Sequence, residues 1–218
     1  MKKIIPLLIG LVTFYFQNQA QTIKDLDGNI YDTVRIGTQT WMKKNLQTTK
    51  YKNGTAIPLV TDNSTWKKLT TPAYCNYNNT LNTDTINTYG RLYNWFTINT
   101  GKLCPTGWHV STNAEWTRLT DYLGGDSTAG RKLKEAGTKH WISPLSTADN
   151  SSGFTALPSG KRSDEESFGK MGYNSYWWTS TEADFVDFVW FRYLFFDNSV
   201  ISFFLNKQNG FSVRCVKN

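Results

Sequence analysis

Few side chains in this sequence have the types and spacing that catalysis requires. The densest acidic cluster is Asp164-Glu165-Glu166, and paired carboxylates can act as acid and base or bind Ca²⁺. Consecutive acids in a loop rich in Ser and Gly are, however, more typical of a solvated turn. A nucleophilic serine needs an adjacent base, and the sequence indicates no histidine partner for Ser111 or Ser180. We therefore assign no catalytic residue.

Metal-binding patterns are equally sparse. The chain has two histidines, His109 and His140, and no CxxC pair. Neither histidine belongs to a pattern with a second ligand, so the sequence predicts no zinc site. His109 follows a Cys-Pro-Thr-Gly-Trp segment, where a hydrogen-bonded structural role is the simpler interpretation. We expect neither a metal nor a cofactor.

Aromatic side chains are the candidates for ligand binding, and four are assigned to it: Trp177, Trp178, Trp190 and Tyr193. Exposed aromatic faces can stack on the C–H surfaces of sugars. The competing interpretation is that most of these rings fill the core, since full burial of an aromatic stabilises a domain by roughly 2–3 kcal/mol. Side chains alternate between the two faces of a strand, so Trp177 and Trp178 are expected on opposite faces. At most one of the two is therefore expected to pack inside the core at a given level of the strand.

The first twenty residues have the pattern of a signal peptide. Two lysines precede an apolar run over residues 4–16, and a polar stretch follows, with a small residue at Ala20. The apolar run is too short to cross a hydrocarbon core of ~30 Å. We expect a signal peptide over 1–20, cleaved after Ala20, and a single domain over 21–218; the alternative is an uncleaved anchor. No later segment is apolar enough to span a membrane, so we expect a secreted, periplasmic or cell-surface protein.

The charge of the chain does not indicate a nucleic-acid partner. The formal net charge is +7, and removal of Lys2 and Lys3 with the signal peptide lowers it by two, to +5. The basic residues are scattered, without the stripe or reader motif typical of nucleic-acid binding. Aromatic residues make up 15% of the chain, and clusters of Asn, Thr, Gly and Ser separate them. This composition predicts many short strands and long polar loops.

The N-terminal part of the mature chain predicts a hairpin and then a long loop region. Turn residues at both ends of a short alternating run indicate a hairpin over 27–41. Residues 45–87 are dominated by Thr and Asn and are predicted as loops, which Trp66, Tyr74 and Tyr77 would pin to the core.

Three helices are predicted after this region. Apolar residues at spacings of three and four indicate a helix over 89–98. Thr112 and Glu115 form a capping-box pattern, which marks the start of the clearest helix in the chain. A shorter helix follows Ser127, with Ala136 on its apolar face.

The C-terminal third has the pattern of an antiparallel sheet. Successive strands are predicted over 154–157, 176–179, 188–196, 200–205 and 211–216. A hairpin, then helices, then a run of strands indicates an α+β fold with helices packed against a sheet.

A series of motifs in order resembles one family. The motifs are DLDGNIY (25–31), IGTQTWM (36–42), NL (45–46), YGRLYNW (89–95), CPTGWHV (104–110), AEW (114–116), YLGG (122–125), YWWTSTE (176–182) and GFSVRC (210–215). Together they are similar to the Fibrobacter succinogenes major paralogous domain, found in exported proteins of Bacteroidetes and Fibrobacteres. The resemblance covers nearly the whole mature chain.

The resemblance implies a C-type-lectin-like domain, with a small twisted antiparallel sheet, two to three flanking helices and long loops. It also implies a distant similarity to formylglycine-generating enzymes. Those oxidases need a pair of copper-binding cysteines near the C-terminal region, where this chain has only Cys215. Calcium-dependent lectins carry Glu-Pro-Asn or Gln-Pro-Asp followed by Trp-Asn-Asp, and none of these occurs here.

One disulfide is predicted among the three cysteines, since an exported chain matures in an oxidising compartment. In the fold that the sequence resembles, the last strand runs through the middle of the domain, so that fold implies a Cys104–Cys215 bond. Cys75 lies in an irregular segment between two tyrosines and is expected to be buried. Pairing of Cys75 with either of the other two is the alternative.

The sequence therefore favours an exported, non-catalytic binding or interaction module whose ligand is a glycan or a cell-surface protein. One alternative is an enzyme related to the formylglycine-generating oxidases, which a Cys104–Cys215 disulfide would deprive of its thiols. A purely structural cell-surface domain is the other. The sequence does not define an oligomeric state.

Overall fold

The computed structural model of the chain describes residues 21–142, 147–163, 168–195, 197 and 199–218. Its strands are β1 (Thr22–Lys24), β2 (Ile30–Ile36), β3 (Gln39–Met42), β4 (Tyr74–Cys75), β5 (Leu92–Tyr93), β6 (Trp108–Val110), β7 (Ser159–Arg162), β8 (Phe168–Met171), β9 (Ser175–Glu182), β10 (Phe188–Leu194), β11 (Val200–Asn206) and β12 (Cys215–Lys217). Its helices are α1 (Asn63–Lys67), α2 (Thr83–Tyr89), α3 (Trp95–Ile98), α4 (Asn113–Tyr122) and α5 (Asp126–Leu133), with a 3₁₀ turn at Tyr77–Asn79. This mixture is an α+β fold, as predicted.

Two five-stranded sheets replace the single small sheet that was expected. One has the order β1-β2-β3-β12-β6, and the other has the order β11-β10-β9-β7-β8. Nearly all neighbouring strands are antiparallel, but β7 and β9 pair in parallel at Gly160 and Ser175. The last strand, β12, lies between β3 and β6, so the two ends of the domain share one sheet. The predicted hairpin is confirmed as β2 and β3.

Strand β9 of the second sheet is covered on both faces over Ser175–Thr179. Trp177 packs in one hydrophobic cluster with Trp116 and Phe154, and Trp178 packs in another with Phe211. The two residues therefore do point to opposite faces of β9. The expectation that at most one would lie inside was wrong, because apolar side chains cover both faces of this strand.

The capped helix forms as its sequence predicts. The Thr112 side chain accepts a hydrogen bond from the Glu115 amide, and the Glu115 carboxylate accepts one from the Thr112 amide at 2.8 Å. The apolar stripe of α4 is buried and includes Trp116. The following helix, α5, ends at Leu133, so Ala136 lies beyond it and is exposed.

The helix predicted over 89–98 is wrong. Helix α2 ends at Tyr89, and Gly90 then takes φ 80°, which is outside the helical region. Strand β5 follows and pairs with β4, and only the four residues of α3 are helical. The apolar spacing that indicated one helix comes from a buried strand followed by a single helical turn. The region predicted as loops likewise contains α1 and α2, and buried Trp66 anchors it.

Two predicted strands are also shorter than expected. Residues 154–157 contribute one bridge, from Ala156 to Lys134, because Thr155 has φ 56° and interrupts an extended chain. At the C-terminus only β12 is a strand, and Phe211 and Ser212 make single bridges to other segments.

The disulfide between Cys104 and Cys215 is confirmed. Their Cα atoms are 6.1 Å apart, and the bond joins residues 111 positions apart in the chain. Cys75 is free and buried, as expected. Because Cys215 lies in β12, the bond fixes this interior strand of the first sheet to the segment that leads into β6.

No helix in the described part of the chain is long and apolar enough to cross a membrane.

Candidate ligand-binding sites

Two of the four aromatic residues predicted to bind a ligand lie in the core. Trp177 and Trp178 are 1% and 0% exposed. The indole N–H of Trp177 donates to Asn45 Oδ1 at 2.9 Å, and that of Trp178 donates to the Tyr93 carbonyl at 2.7 Å. Neither residue has a ring face open to solvent. For these two residues the structure agrees with the interpretation that the rings fill the core.

Trp190 lies at the surface in an aromatic group that we call the Trp190 cluster: Phe185, Phe188, Trp190 and Phe204. Its ring is half-buried and meets Phe204 at 5.6 Å in an edge-to-face contact. Tyr193 is three positions further along β10 and therefore points to the other face of the sheet. The structure does not bring Trp190 and Tyr193 into one site.

Tyr193 borders a different surface, which we call the aromatic groove. The groove has a volume of about 640 Å³ and is lined by Gly169, Lys170, Met171, Tyr173, Asn174, Tyr176 and Phe195. The Tyr193 ring stacks on Tyr176, with the ring centres 5.8 Å apart, and its centre lies 4.7 Å from that of Phe195. Tyr193 therefore contacts two of the rings that line the groove. The turn between β8 and β9 supplies Tyr173, which is 47% exposed.

One polar group of the groove lacks a hydrogen-bond partner. Asn174 is buried, and its Nδ2 donates to the Tyr176 hydroxyl at 2.9 Å, whereas Oδ1 has no partner in the described part of the chain. Exchange of the two amide atoms would leave the nitrogen unpaired instead. Lys161 Nζ lies 5.5 Å from the centre of the Tyr176 ring. The groove thus combines aromatic walls with the exposed Lys170 side chain, and the Asn174 amide is buried beside them.

A second concave surface, which we call the polar cleft, lies near α2. It has a volume of about 500 Å³ and is lined by Lys43, Lys44, Asn45, Asp84, Asn87, Thr88, Glu135, Thr155, Leu157 and Arg214. Segments that are far apart in the sequence supply these side chains. Nearly all of them carry an amide, a hydroxyl or a charge.

Asn45 holds several of these segments together. Its Oδ1 accepts hydrogen bonds from Trp177 and from Arg214 Nε at 2.7 Å, and its Nδ2 donates to the Tyr89 carbonyl at 2.9 Å. Helix α2 can approach this closely because residue 90 is glycine. A Cβ at Gly90 would lie 2.6 Å from the Asn45 Cβ.

Arg214 is the buried wall of the polar cleft. It is 1% exposed, and its guanidinium donates to Asn45 and to the carbonyls of Met42, Phe154 and Thr155. The guanidinium also lies 4.3 Å from the centre of the Phe154 ring. Burial lowers the pKa of Arg214 to about 9, so the side chain stays charged at neutral pH.

The sequence model of one protein family, the Fibrobacter succinogenes major domain, matches residues 34–217 of this chain. The chain belongs to this family. No curated protein and no solved structure matches it.

In this Fibrobacter succinogenes major domain, His109, Ser111 and Ser180 make hydrogen bonds that belong to the framework of the fold. His109 Nε2 lies 2.8 Å from Glu115 Oε1, and its Nδ1 lies 2.7 Å from Asn218 Oδ1. The same glutamate caps α4, so this pair stabilises the start of the helix. Ser111 Oγ accepts from the Trp116 indole, and Ser180 Oγ donates to the Val110 carbonyl. Neither serine is paired with a histidine in the described part of the chain.

The acidic cluster Asp164-Glu165-Glu166 lies outside the described residues. Within the described ranges, no group of three or more His, Cys, Asp or Glu side chains could hold a metal ion. The disulfide engages the sulfur of Cys215, and burial raises the pKa of the Cys75 thiol to about 12. The sulfur of Cys215 is therefore not available as a thiolate ligand for copper.

Sequence analysis missed both concave surfaces. Arg214 was part of a recognised motif but was treated only as strand sequence, although a charge within a buried apolar run predicts a buried partner network. Asn45 gave no signal beyond its motif. Tyr173 and Asn174 follow a glycine in a turn, which indicated a loop and nothing more.

Proposed function

We propose that this domain is an exported, non-catalytic module that binds a glycan in the aromatic groove. The observation that carries the proposal is an open, aromatic-walled surface of suitable size, whose lining includes the exposed Tyr173 ring and the exposed Lys170 side chain. Binding sites for small ligands typically occupy about 300–1,000 Å³ and combine apolar walls with a few polar groups. The predicted signal peptide over 1–20 supports export to a secreted, periplasmic or cell-surface location.

The chemistry of the groove suits a sugar ring. The exposed face of Tyr173 can stack on the C–H groups of a sugar. Lys170 adds a donor at the same edge.

We also propose that the fold is C-type-lectin-like, as the family resemblance implies. The pairing of β12 between β3 and β6, which joins the two ends of the domain, supports this proposal. Two adjacent helices, α4 and α5, and a second sheet formed largely from the C-terminal part of the chain are further support.

The glycan proposal is tested by titrating a broad panel of soluble polysaccharides and oligosaccharides against the exported protein. For any binder, Tyr173→Ala should weaken binding roughly fivefold, because it removes a ring contact worth about 1 kcal/mol. Tyr122→Ala is the matched control, since Tyr122 is an exposed tyrosine on α4 that does not line the groove.

Three outcomes would count against the proposal. Absence of binding across the whole panel would refute a glycan ligand. Equal losses in Tyr173→Ala and Tyr122→Ala would refute the groove as the site. Loss of binding in Trp190→Ala alone would move the site to the Trp190 cluster, and capture of a surface protein through that cluster would favour the protein-binding alternative.

A further inference from the structure

Arg214 is a buried charge that has no anionic partner among the residues that the structure describes. Four of its five N–H groups donate to neutral oxygen atoms, and the fifth, on Nη2, has no acceptor among the residues that the structure describes. Isolated charges are costly to bury, and buried charges in proteins are ordinarily paired. The remaining favourable contact is with the face of the Phe154 ring.

The polar cleft connects this charge with the surface. Arg214 and Asn45 are buried, whereas Lys44 and Asp84 are exposed, so the cleft runs inward from solvent to the guanidinium. Lys43 adds a further cation beside Lys44. The cations that line the cleft therefore outnumber its two acids, Asp84 and Glu135.

The acids restrict which anion fits. Glu135 Oε2 already lies 2.7 Å from His140 Nδ1, but Asp84 makes no ion pair within the described part of the chain. A carboxylate oxygen accepts hydrogen bonds from hydroxyl groups and repels a doubly charged anion. Asn87 and Thr88 offer further groups to a hydroxyl-bearing ligand. A singly charged ligand with several hydroxyls matches this set better than phosphate does.

Thr155, which also lines the polar cleft, has an unusual backbone conformation. It is β-branched but has φ 56°, a conformation that such residues rarely adopt. Its carbonyl accepts from Arg214 Nη2 at 3.2 Å, and its amide donates to Asn150 Oδ1 at 2.9 Å. Strained backbone persists where surrounding contacts enforce it, and it is concentrated at binding and catalytic sites.

We propose that the polar cleft is a second ligand site, independent of the aromatic groove, for a small hydroxylated carboxylate such as a uronic acid. The carboxylate pairs with Arg214, Lys43 and Lys44 orient it from the opening, and Asp84 and Asn87 accept hydrogen bonds from its hydroxyls. The ligand supplies a negative charge that none of the described residues places beside Arg214.

The test is a titration of the isotope-labelled exported protein with sodium D-glucuronate, followed by backbone and arginine Nε–H resonances. Glucuronate should shift the signals of Asn45, Thr155 and Arg214 Nε–H, and binding should weaken as salt is raised. D-glucose, which has the ring and hydroxyls but no carboxylate, should leave those signals unchanged.

Two surface variants keep the test independent of folding. Lys44→Gln should weaken glucuronate binding roughly fivefold, as loss of one exposed ion pair predicts. Lys68→Gln is the matched control, because Lys68 is an exposed lysine that does not line the cleft. Tyr173→Ala should leave glucuronate binding unchanged, which separates this site from the groove.

Several results would overturn the proposal. One is the absence of any glucuronate-induced shift, and another is a shift confined to Tyr173 and Asn174. Equal binding of glucose in the cleft would refute the need for a carboxylate. Tighter binding of inorganic phosphate than of glucuronate would refute the ligand class.

Discussion

The polar cleft and the aromatic groove differ in how far their side chains also hold the fold together. In the cleft, Asn45 and Arg214 join β12 to the segments around Met42, Tyr89 and Phe154 through buried hydrogen bonds. In the groove, the Tyr173 hydroxyl makes no hydrogen bond within the described part of the chain, and its ring is half exposed. The side chains of a candidate site can thus be part of the framework, as in the cleft, or be added to it, as in the groove.

This difference has an energetic origin. A buried polar network in a low-dielectric interior stabilises the fold only when every member is satisfied, so each change to it affects both folding and binding. An exposed ring on a turn loses little when it is removed, because water already contacts much of it. The cleft should therefore respond to structural changes elsewhere in the domain, and the groove should tolerate them.

The largest expected effect is that of the Cys104–Cys215 bond. Replacement of both cysteines by serine should lower the free energy of unfolding by roughly 4–5 kcal/mol, since the bond closes a loop of about 110 residues. Urea unfolding measures this loss. Because Cys215 adjoins Arg214, amide hydrogen exchange should increase more around Asn45 and Thr155 than around Tyr173.

Cys75→Ala is the control for the disulfide variant, because Cys75 is a buried cysteine without a bond. Its cost should be about 1 kcal/mol, the value for a small cavity. A uniform increase of exchange in the cleft and the groove would contradict the distinction between the two regions.

A smaller effect is expected from the close approach of α2 to the cleft. Gly90→Ala places a Cβ within 2.6 Å of the Asn45 Cβ and 3.0 Å of the Leu46 carbonyl oxygen. We expect a loss of about 2 kcal/mol, because the neighbours that must move are backbone or buried atoms. The variant should also weaken glucuronate binding and leave the groove ligand unaffected.

Gly54→Ala separates the clash from the cost of the backbone conformation. Gly54 also has a positive φ, of 87°, but nothing lies within 4 Å of its added Cβ. This variant should cost about 1 kcal/mol, the strain of a left-handed conformation alone. If the two variants proved equally stable, the packing of α2 on Asn45 would not be the constraint that we describe.

The parts of the fold that sequence analysis predicted correctly are those with strong local signals. The capping box of α4 lies within four residues, and β10 and β11 have long apolar runs separated by a turn. The helix predicted over 89–98 was wrong because Gly90, which ends α2, was outweighed by apolar spacing. Local sequence patterns do not show that the packing of Asn45 requires a glycine at position 90.

The polar cleft was harder to predict because its residues are far apart in the sequence. The cleft combines residues from the 43–45, 84–88, 155–157 and 214 segments, and only the folded chain brings them together. Aromatic composition could not separate the half-buried Trp190 and Tyr193 from the buried Trp177 and Trp178. That separation depends on the burial of both faces of β9 over Ser175–Thr179, which β10 does not share and which is a property of the tertiary structure.

The smallest expected effect on stability is that of Tyr173→Ala in the groove. Tyr173 is 47% exposed and lies in the turn between β8 and β9, where its amide donates to the Lys170 carbonyl at 3.1 Å. Alanine keeps that backbone hydrogen bond, so the free energy of unfolding should change by less than about 0.5 kcal/mol, as for other surface substitutions. Thermal and urea unfolding of the variant, measured beside Tyr122→Ala, would show two nearly superimposable curves. A loss above about 2 kcal/mol would mean that Tyr173 belongs to the framework, and the contrast between the groove and the cleft would then fail.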